Sequence, residues 1–456
     1  MNKGGKLKRG FGGRSNGKLE KIFPRIDSKE KTPLSGGFEN EWKKSSGGLG
    51  AGGPRCGDEI RRDGKPGETP AVTQYACPTG IGGIALRREI CLHAMMHPAS
   101  RDLQSLLDDY TSSEKERGLQ LAVYKDGELV IDLCSGIANA ETGEKVTSET
   151  LFPVFSVSKG IAATIVHRLV ARGLLAYDKP IAAWWPEFGC LGKEEITLAD
   201  VLSHSAGLQN IPAGTKWADL ADWSGMCRRL AEASPAFPPG TAVEYHAITY
   251  GWLVGEPACR VSGLDFPALL WREILEPLGL SELFIGNDKP WRLPIAVLEE
   301  EGGTVDVPDP ETPRSIPVWL LPLASMMNDA DAQRACMPAS SGLATARAVA
   351  RHYAALLPGG VDGVRLLDDE TLDRVTALHP PRLAPDVETG FGLGYHVETL
   401  AGPAGRQIRS FGHGGHGGAK GFADIESGLA ISLTKNKLNT EPYAQEIVDA
   451  VRTLLT

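Results

Sequence analysis

The chain has 456 residues, with 48 Lys and Arg against 57 Asp and Glu and a formal net charge of −9. That length allows one large folded unit or two lobes, and 42% hydrophobic with 23% charged residues fits a globular protein. No run of about 18 apolar residues occurs, which excludes a spanning helix, and the acidic balance argues against nucleic acid as the main partner.

The charge is unevenly placed. Residues 1–80 hold 16 Lys and Arg against 9 Asp and Glu, a surplus of 7, and 17 of the 54 glycines. Residues 81–456 hold 32 against 48, a deficit of 16. Runs such as Lys3–Gly13, Ser45–Pro54 and Arg61–Gly67 are too poor in branched apolar residues to offset chain entropy. Residues 1–94 therefore read as a basic, Gly-rich extension, disordered or loosely packed, ahead of a folded unit at 95–456. A solvated tail is the simple reading of it; a tether to an anionic surface is the other. Met95 or Met96 is an alternative natural start. No apolar stretch follows the basic beginning, so no secretory signal is expected and a cytoplasmic location is.

The eight cysteines are Cys56, Cys77, Cys91, Cys134, Cys190, Cys227, Cys259 and Cys336. None forms a C-x-x-C pair, so neither a zinc site nor a redox motif is indicated. They read as reduced thiols, with Cys134 and Cys259 in the core.

After residue 100 the elements follow in order. Arg101–Tyr110 is a plausible first helix. Leu119–Tyr124 and Glu128–Cys134 are strand-like runs around the hairpin signal Asp126-Gly127. Thr147–Phe155 leads into Ser156, and Val157–Ala171 is helical, with Ile161, Ile165 and Leu169 on one stripe and Gly173 as its stop. Thr197–Leu202, Trp217–Ala233 and Ala247–Glu256 fit helices, separated by Pro-rich stretches at Pro235–Pro239 and Pro308–Pro317. Gly342–Leu357 is a further amphipathic helix. Gly390–Thr399, Arg406–Gly412, Gly421–Asp424 and Leu429–Thr434 read as strands, and Pro442–Leu455 as a closing helix. Strands from both ends with helices between predict a mixed α/β (α+β) fold whose sheet gathers distant segments.

Ser156-Val157-Ser158-Lys159 is the position that carries chemistry. A serine at a helix N-terminus has the helix dipole aimed at developing negative charge. A lysine three residues on returns to the same face, where loss of water lowers its pKa and lets it take the serine proton. The S-x-x-K pattern also begins at Ser15, Ser28, Ser112 and Ser432. Ser15 and Ser28 lie in the tail, Ser112 in a charge-rich segment, and Ser432 in a strand, where i and i+3 face opposite ways. A G-x-S-x-G match at Gly13–Gly17 lacks the strand–turn–helix setting of a nucleophile elbow, which counts against an α/β-hydrolase.

Leu151–Gly160 resembles the active-site segment of the serine β-lactamase-like superfamily, above all of class C β-lactamases and family VIII carboxylesterases. Leu202-Ser203-His204-Ser205-Ala206-Gly207-Leu208, Tyr245–Glu256 and Ser340–Arg347 are similar to further segments of that family, in order. Phe411-Gly412-His413-Gly414-Gly415-His416-Gly417-Gly418 sits where its Lys-Thr-Gly strand falls, followed by Gly421-Phe422-Ala423-Asp424 and Asn436. The resemblance spans about residues 100–456. It implies a β-lactamase-like fold, a central antiparallel sheet flanked by helices (about 100–155 and 385–456) plus a mainly helical lobe (mostly 175–340). It implies Ser156 as nucleophile, Lys159 as its partner and Tyr245 as general base or proton relay. Which of Lys159 and Tyr245 takes the proton stays open, because coupled groups titrate as a unit. It places His413 at the motif lysine, lets Gly414 and Gly415 bring substrate close to the strand, and gives the Ser156 and His416 N–H groups the oxyanion hole. A register on His416-Gly417-Gly418 is the other alignment.

Simpler roles stand beside these. His413 and His416 lack a third ligand for a metal. His204 reads as a structural hydrogen-bonder, His246 is unassigned, Asp178 reads as turn, and Trp184, Trp185 and Trp252 as packing. Penicillin-recognising relatives carry an Asn where Ala247 stands, and Lys and Thr where His413 and Gly414 stand. Alanine offers an acylamide no side-chain hydrogen bond, and loss of the lysine removes a permanent charge for a carboxylate. The expectation is a serine carboxylesterase for small, short-acyl esters, with weak β-lactam hydrolysis and no cofactor or metal. A class C-like β-lactamase, a D-amino-acid peptidase, an acyltransferase and an inactive binding protein of the same fold are the alternatives.

Overall fold

The computed structural model describes residues 97–287, 292–300, 314–402 and 405–456. The expected extension at 1–94, Met95 and Met96, Cys56, Cys77, Cys91, the Gly13–Gly17 match and most of Pro308–Pro317 lie outside them.

The strands are β1 (Gly118–Lys125), β2 (Glu128–Asn139), β3 (Glu144–Lys145), β4 (Phe152–Pro153), β5 (Leu283–Phe284), β6 (Glu299–Glu300), β7 (Leu343–Ala344), β8 (His396–Ala401), β9 (Gln407–Gly414), β10 (Lys420–Asp424), β11 (Leu429–Lys435) and β12 (Lys437–Leu438). A seven-stranded sheet runs β3-β2-β1-β11-β10-β9-β8, antiparallel at every step. The first and last thirds of the described chain thus meet at the β1–β11 pair. Asp126 and Gly127 both have positive φ, 49° and 86°, which a tight two-residue hairpin turn requires.

Each central strand is buried on both faces. On one side Leu119, Leu121, Val123, Ile431 and Leu433 pack against Leu103 and Leu107 of the Ala99–Ser112 helix and Ile447, Val448 and Val451 of the Tyr443–Leu455 helix. On the other, Ala122, Tyr124, Ala423 and Ala430 join the larger core under the helices Val157–Ala171 and Ala346–Ala354. The Val157–Ala171 helix has the expected bounds but is buried on nearly every face, Thr164 and His167 included. Its apolar stripe understates this, because the sheet and the helical lobe enclose it from both sides.

Several boundaries differ from the sequence reading. Trp217–Ala233 is two helices, Trp217–Ala221 and Trp223–Glu232, parted where Asp222 turns extended and its carboxylate accepts the Gly225 N–H at 3.0 Å. The expected Ala247–Glu256 helix runs Tyr250–Ser262 and carries Pro257 inside it. Residues 342–345 form β7 before the Thr345-capped helix Ala346–Ala354, and the strand expected at Gly390–Thr399 begins only at His396. Cys134 and Cys259 are half-buried at the core edge, Cys227 is buried, and these with Cys336 are free thiols. No helix among the described residues is long and apolar enough to cross a membrane.

Candidate active site

The chain turns from β4 into the Val157–Ala171 helix at Phe155-Ser156. Phe155 has φ 47°, a left-handed conformation costing a non-glycine residue about 1–2 kcal/mol. The turn is braced from behind. Ser158 Oγ donates to the Phe155 carbonyl at 2.6 Å and accepts the Gly342 N–H at 3.0 Å, while Val154 N donates to the Gly342 carbonyl at 2.8 Å. A Cβ on Gly342 would stand 2.4 Å from Ser158 Oγ. The Ser340–Arg347 segment is therefore the strut that holds the serine turn in its strained shape.

One helical turn on, Lys159 is fully buried. Its Nζ lies 3.1 Å from Ser156 Oγ and donates to the carbonyls of Ala247 (2.6 Å) and Ala339 (3.0 Å). No carboxylate stands among these partners, and burial pushes the ammonium well below the usual lysine range. The Tyr245 ring centroid is 4.8 Å from the same Nζ. Burial raises the Tyr245 phenol above its ordinary value, while a hydrogen bond with Ser156 works the other way.

Tyr245 is held by its neighbours' rings and by its backbone. His204 lies 4.7 Å from it, His413 5.9 Å and Phe391 6.1 Å, centroid to centroid. His204 is buried with φ 63°, and its Nδ1 accepts the His246 N–H at 3.2 Å. His246 turns away from the reacting groups: its Nε2 accepts the Leu208 N–H at 3.1 Å. Ser315 Oγ donates to the Tyr245 carbonyl at 3.0 Å and accepts the Ala247 N–H at 2.9 Å.

The end of β9 closes the site. Gly421 pairs with His413 and Lys420 with Gly414. A Cβ on Gly415 would meet the Val154 carbonyl at 2.4 Å, whereas at Gly414 the nearest atom is 3.8 Å away. Gly415 thus serves close approach of two backbones, while Gly414 has open space beside it. The Gly415 N–H donates to the Ala419 carbonyl at 2.7 Å. His413 Nδ1 is 2.9 Å from the Gly414 carbonyl. A carbonyl only accepts, so Nδ1 carries the proton and Nε2 the lone pair. Burial, then the Lys159 charge, pushes His413 down to about 3, so the ring is neutral. His416 turns its Nε2 to Glu300 at 3.2 Å. Among the described residues no cluster of three His, Cys, Asp or Glu side chains could hold a metal ion.

The structure therefore brings Ser156, Lys159, Tyr245 and His413 together, with Gly414 and Gly415 along one edge. Ser432 is a strand residue whose hydroxyl donates to the Lys420 carbonyl at 2.9 Å, Trp185 and Trp252 are core, and Trp184 is half-buried. Asn436 is structural, its amide reaching the carbonyls of Ile137, Ala138 and Val297. Sequence reasoning missed Ser315, on a loop, and Glu300, in the two-residue strand β6, neither of which has a motif of its own. A cavity of about 480 Å³ beside Leu208, Ile211 and Arg229 is lined by none of Ser156, Lys159 and Tyr245.

A family model described as Beta-lactamase matches residues 103–455. The chain is 36% identical over 338 residues to "Esterase/beta-lactamase LipL" of Mycobacterium tuberculosis (strain ATCC 25618 / H37Rv), covering 70% of this chain and 77% of that protein. A crystal structure of a family VIII carboxylesterase superposes with a TM-score of 0.68 at 28% identity, covering 78% of this chain and 98% of the other. A penicillin-binding protein homolog from Caulobacter crescentus superposes with a TM-score of 0.66 at 31% identity, over 78% and 98% of the two chains. With its antiparallel sheet, its helical lobe and these matches, the chain belongs to the Beta-lactamase family, as a hydrolase of the β-lactamase-like fold.

Proposed function

We propose that the protein is a serine carboxylesterase that hydrolyses small, short-acyl esters through an acyl-Ser156 intermediate. The observation that carries this reading is the lysine at the serine. A neutral amine has two N–H donors and one lone pair. Two of the three polar neighbours of Lys159 Nζ are carbonyls, which take the N–H groups. The lone pair is left facing Ser156 Oγ at 3.1 Å. Ser156 Oγ attacks the ester carbonyl carbon as its proton passes to Lys159. The oxyanion is met by the N–H groups of Ser156 and His416. As the carbon–oxygen bond to the alcohol breaks, Tyr245 O–H protonates the leaving oxygen and regains a proton from Lys159. Water then adds by the same route and releases the acid.

The choice of ester over β-lactam rests on what surrounds these groups. Ala247 has no side-chain amide for an acylamide, and neutral His413 has no charge for a carboxylate. The relative named both esterase and β-lactamase supports weak β-lactam hydrolysis from the same acyl-enzyme chemistry.

The test compares p-nitrophenyl acetate and butyrate with nitrocefin on wild type and Ser156→Ala. Ester turnover well above nitrocefin turnover, and its loss by about 10⁴-fold or more in the variant, is expected. Equal ester turnover by the two proteins refutes the reading.

A further inference from the structure

Glu300 is tied to three parts of the site's frame. Its Oε2 accepts the Ala324 N–H at 2.9 Å, at the start of the Leu323–Asn328 helix. Its Oε1 lies 3.2 Å from His416 Nε2. The His416 bond, then the Ala324 and Leu323 backbone N–H groups, hold its carboxyl below the usual glutamate range. Its backbone is fixed as firmly. Glu300 pairs with Leu438 in the parallel β6–β12 ladder, and the preceding Glu299 N–H donates to the Asn436 carbonyl at 2.8 Å.

His416 is fixed on its other side by Phe155, ring edge to ring face at 5.5 Å and 71°. Phe155 is the strained residue just before Ser156. The His416 ring therefore stands between the serine turn and Glu300, while its own backbone N–H follows directly after Gly415. The turn itself has little stiffness of its own, being His416-Gly417-Gly418 with both glycines at positive φ, 76° and 113°. A donor on such a turn needs an outside anchor to hold a position within a few tenths of an ångström, which oxyanion stabilisation requires.

We propose that Glu300 is a positioning residue: it clasps the His416 side chain and so fixes the His416 N–H toward the oxyanion of the ester reaction. This rests on the reading of Ser156 and His416 given above. It assigns Glu300 no contact with substrate. Its contribution belongs to the tetrahedral state, so its loss lowers kcat and leaves KM nearly unchanged.

The experiment uses the full chain and short p-nitrophenyl esters, with phenylboronic acid as a probe that forms a tetrahedral adduct on the serine. Glu300→Ala is expected to lower kcat and to weaken phenylboronic acid by about tenfold each, with KM within about twofold. Glu300→Gln is expected to recover most of both. Its carbonyl accepts from Ala324 N–H and its amide donates to His416 Nε2 in the tautomer that carries its proton on Nδ1. His416→Ala keeps the backbone N–H but loses the clasp, so it matches Glu300→Ala, and the double variant loses no more than either. Thermal unfolding of each variant separates this from loss of fold. Wild type without esterase activity would overturn the function proposed above. Active wild type, with a folded Glu300→Ala whose kcat and boronate affinity stay within twofold, would overturn the Glu300 assignment alone.

Discussion

Lys159 and Ser156 face each other one helical turn apart, Nζ to Oγ at 3.1 Å, and the other polar partners of the amine are the Ala247 and Ala339 carbonyls. Burial without a carboxylate disfavours the ammonium, so the amine titrates well below an ordinary lysine. In the proposed reaction the neutral form accepts the serine proton. As pH falls through the lowered value the lone pair is lost, and kcat/KM for p-nitrophenyl butyrate falls about tenfold per pH unit, with a plateau on the alkaline side. His413, pushed down to about 3, cannot supply that limb. An acid limb displaced well below the ordinary lysine range is expected in wild type; a limb at the ordinary lysine pKa of about 10.4 contradicts it.

The same shift has a stability sign. Unfolded Lys159 has the ordinary pKa of about 10.4, so between the lowered folded value and that one the unfolded chain binds the extra proton. Stability then rises with pH across this window. Urea unfolding at a series of pH values from 6 to 9 checks this, with Lys159→Met predicted to show a shallower rise than wild type.

Tyr245 owes its place to groups far from it in sequence. Ser315 Oγ bridges its carbonyl and the Ala247 N–H, and Ala247 in turn supplies a carbonyl to Lys159. Ser315→Ala breaks both bridges and leaves two backbone groups to find other partners. A drop in kcat of about tenfold is expected, with a stability loss of about 1–3 kcal/mol. Ser315→Thr keeps the hydroxyl and should recover most of the rate. Steady-state kinetics with calorimetry reads both; an unchanged kcat in Ser315→Ala means the bridge does not place Tyr245.

Much of this was legible because it is local. A helix over Val157–Ala171 follows from its apolar spacing, and the hairpin from Asp126-Gly127. The SxxK pair is one helical turn, so its geometry follows once the helix is known. The chain could not reveal what depends on long-range closure. Ala339 reaches Lys159 across 180 residues and Ser315 reaches Tyr245 across 70. The Trp217–Ala233 reading failed for a different reason: Asp222 caps a second helix in the middle of one continuous amphipathic pattern. His416 was read for its N–H, and its side chain's hold on Glu300 had no signal in spacing.

The two glycines of β9 and its turn separate by their surroundings. A methyl group at Gly415 would lie 2.4 Å from the Val154 carbonyl, and one at Gly414 would have nothing nearer than 3.8 Å. Gly415→Ala pushes the strand end away from the serine turn, so kcat should fall by about 100-fold and stability by about 1–3 kcal/mol. Gly414→Ala should fold as wild type, and its effect should appear in KM for bulkier acyl groups. Kinetics on acetate and butyrate esters compares them; equal loss of kcat in both variants would contradict the assignment.

Beneath the same turn lies a buried ion pair. Lys435 and Glu116 side chains are 1% and 0% exposed and bonded to each other, and Lys435 also donates to Asn439 Oδ1 at 3.0 Å. The Lys435 Cδ is the nearest atom to a Cβ built on Gly418, at 3.1 Å, so the pair fills the space under the glycine turn. Burial raises the Glu116 carboxyl, and the Lys435 charge works against this. Removing the cation alone leaves an uncompensated buried charge, so Lys435→Met should cost about 3–5 kcal/mol. Adding Glu116→Gln removes that charge and should restore most of the loss, because desolvation of two ions nearly offsets their attraction. Chemical denaturation of the two single variants and the double closes the cycle. A double variant as unstable as the sum of the singles would mean that the two residues act independently and that the pair does not hold this corner of the sheet.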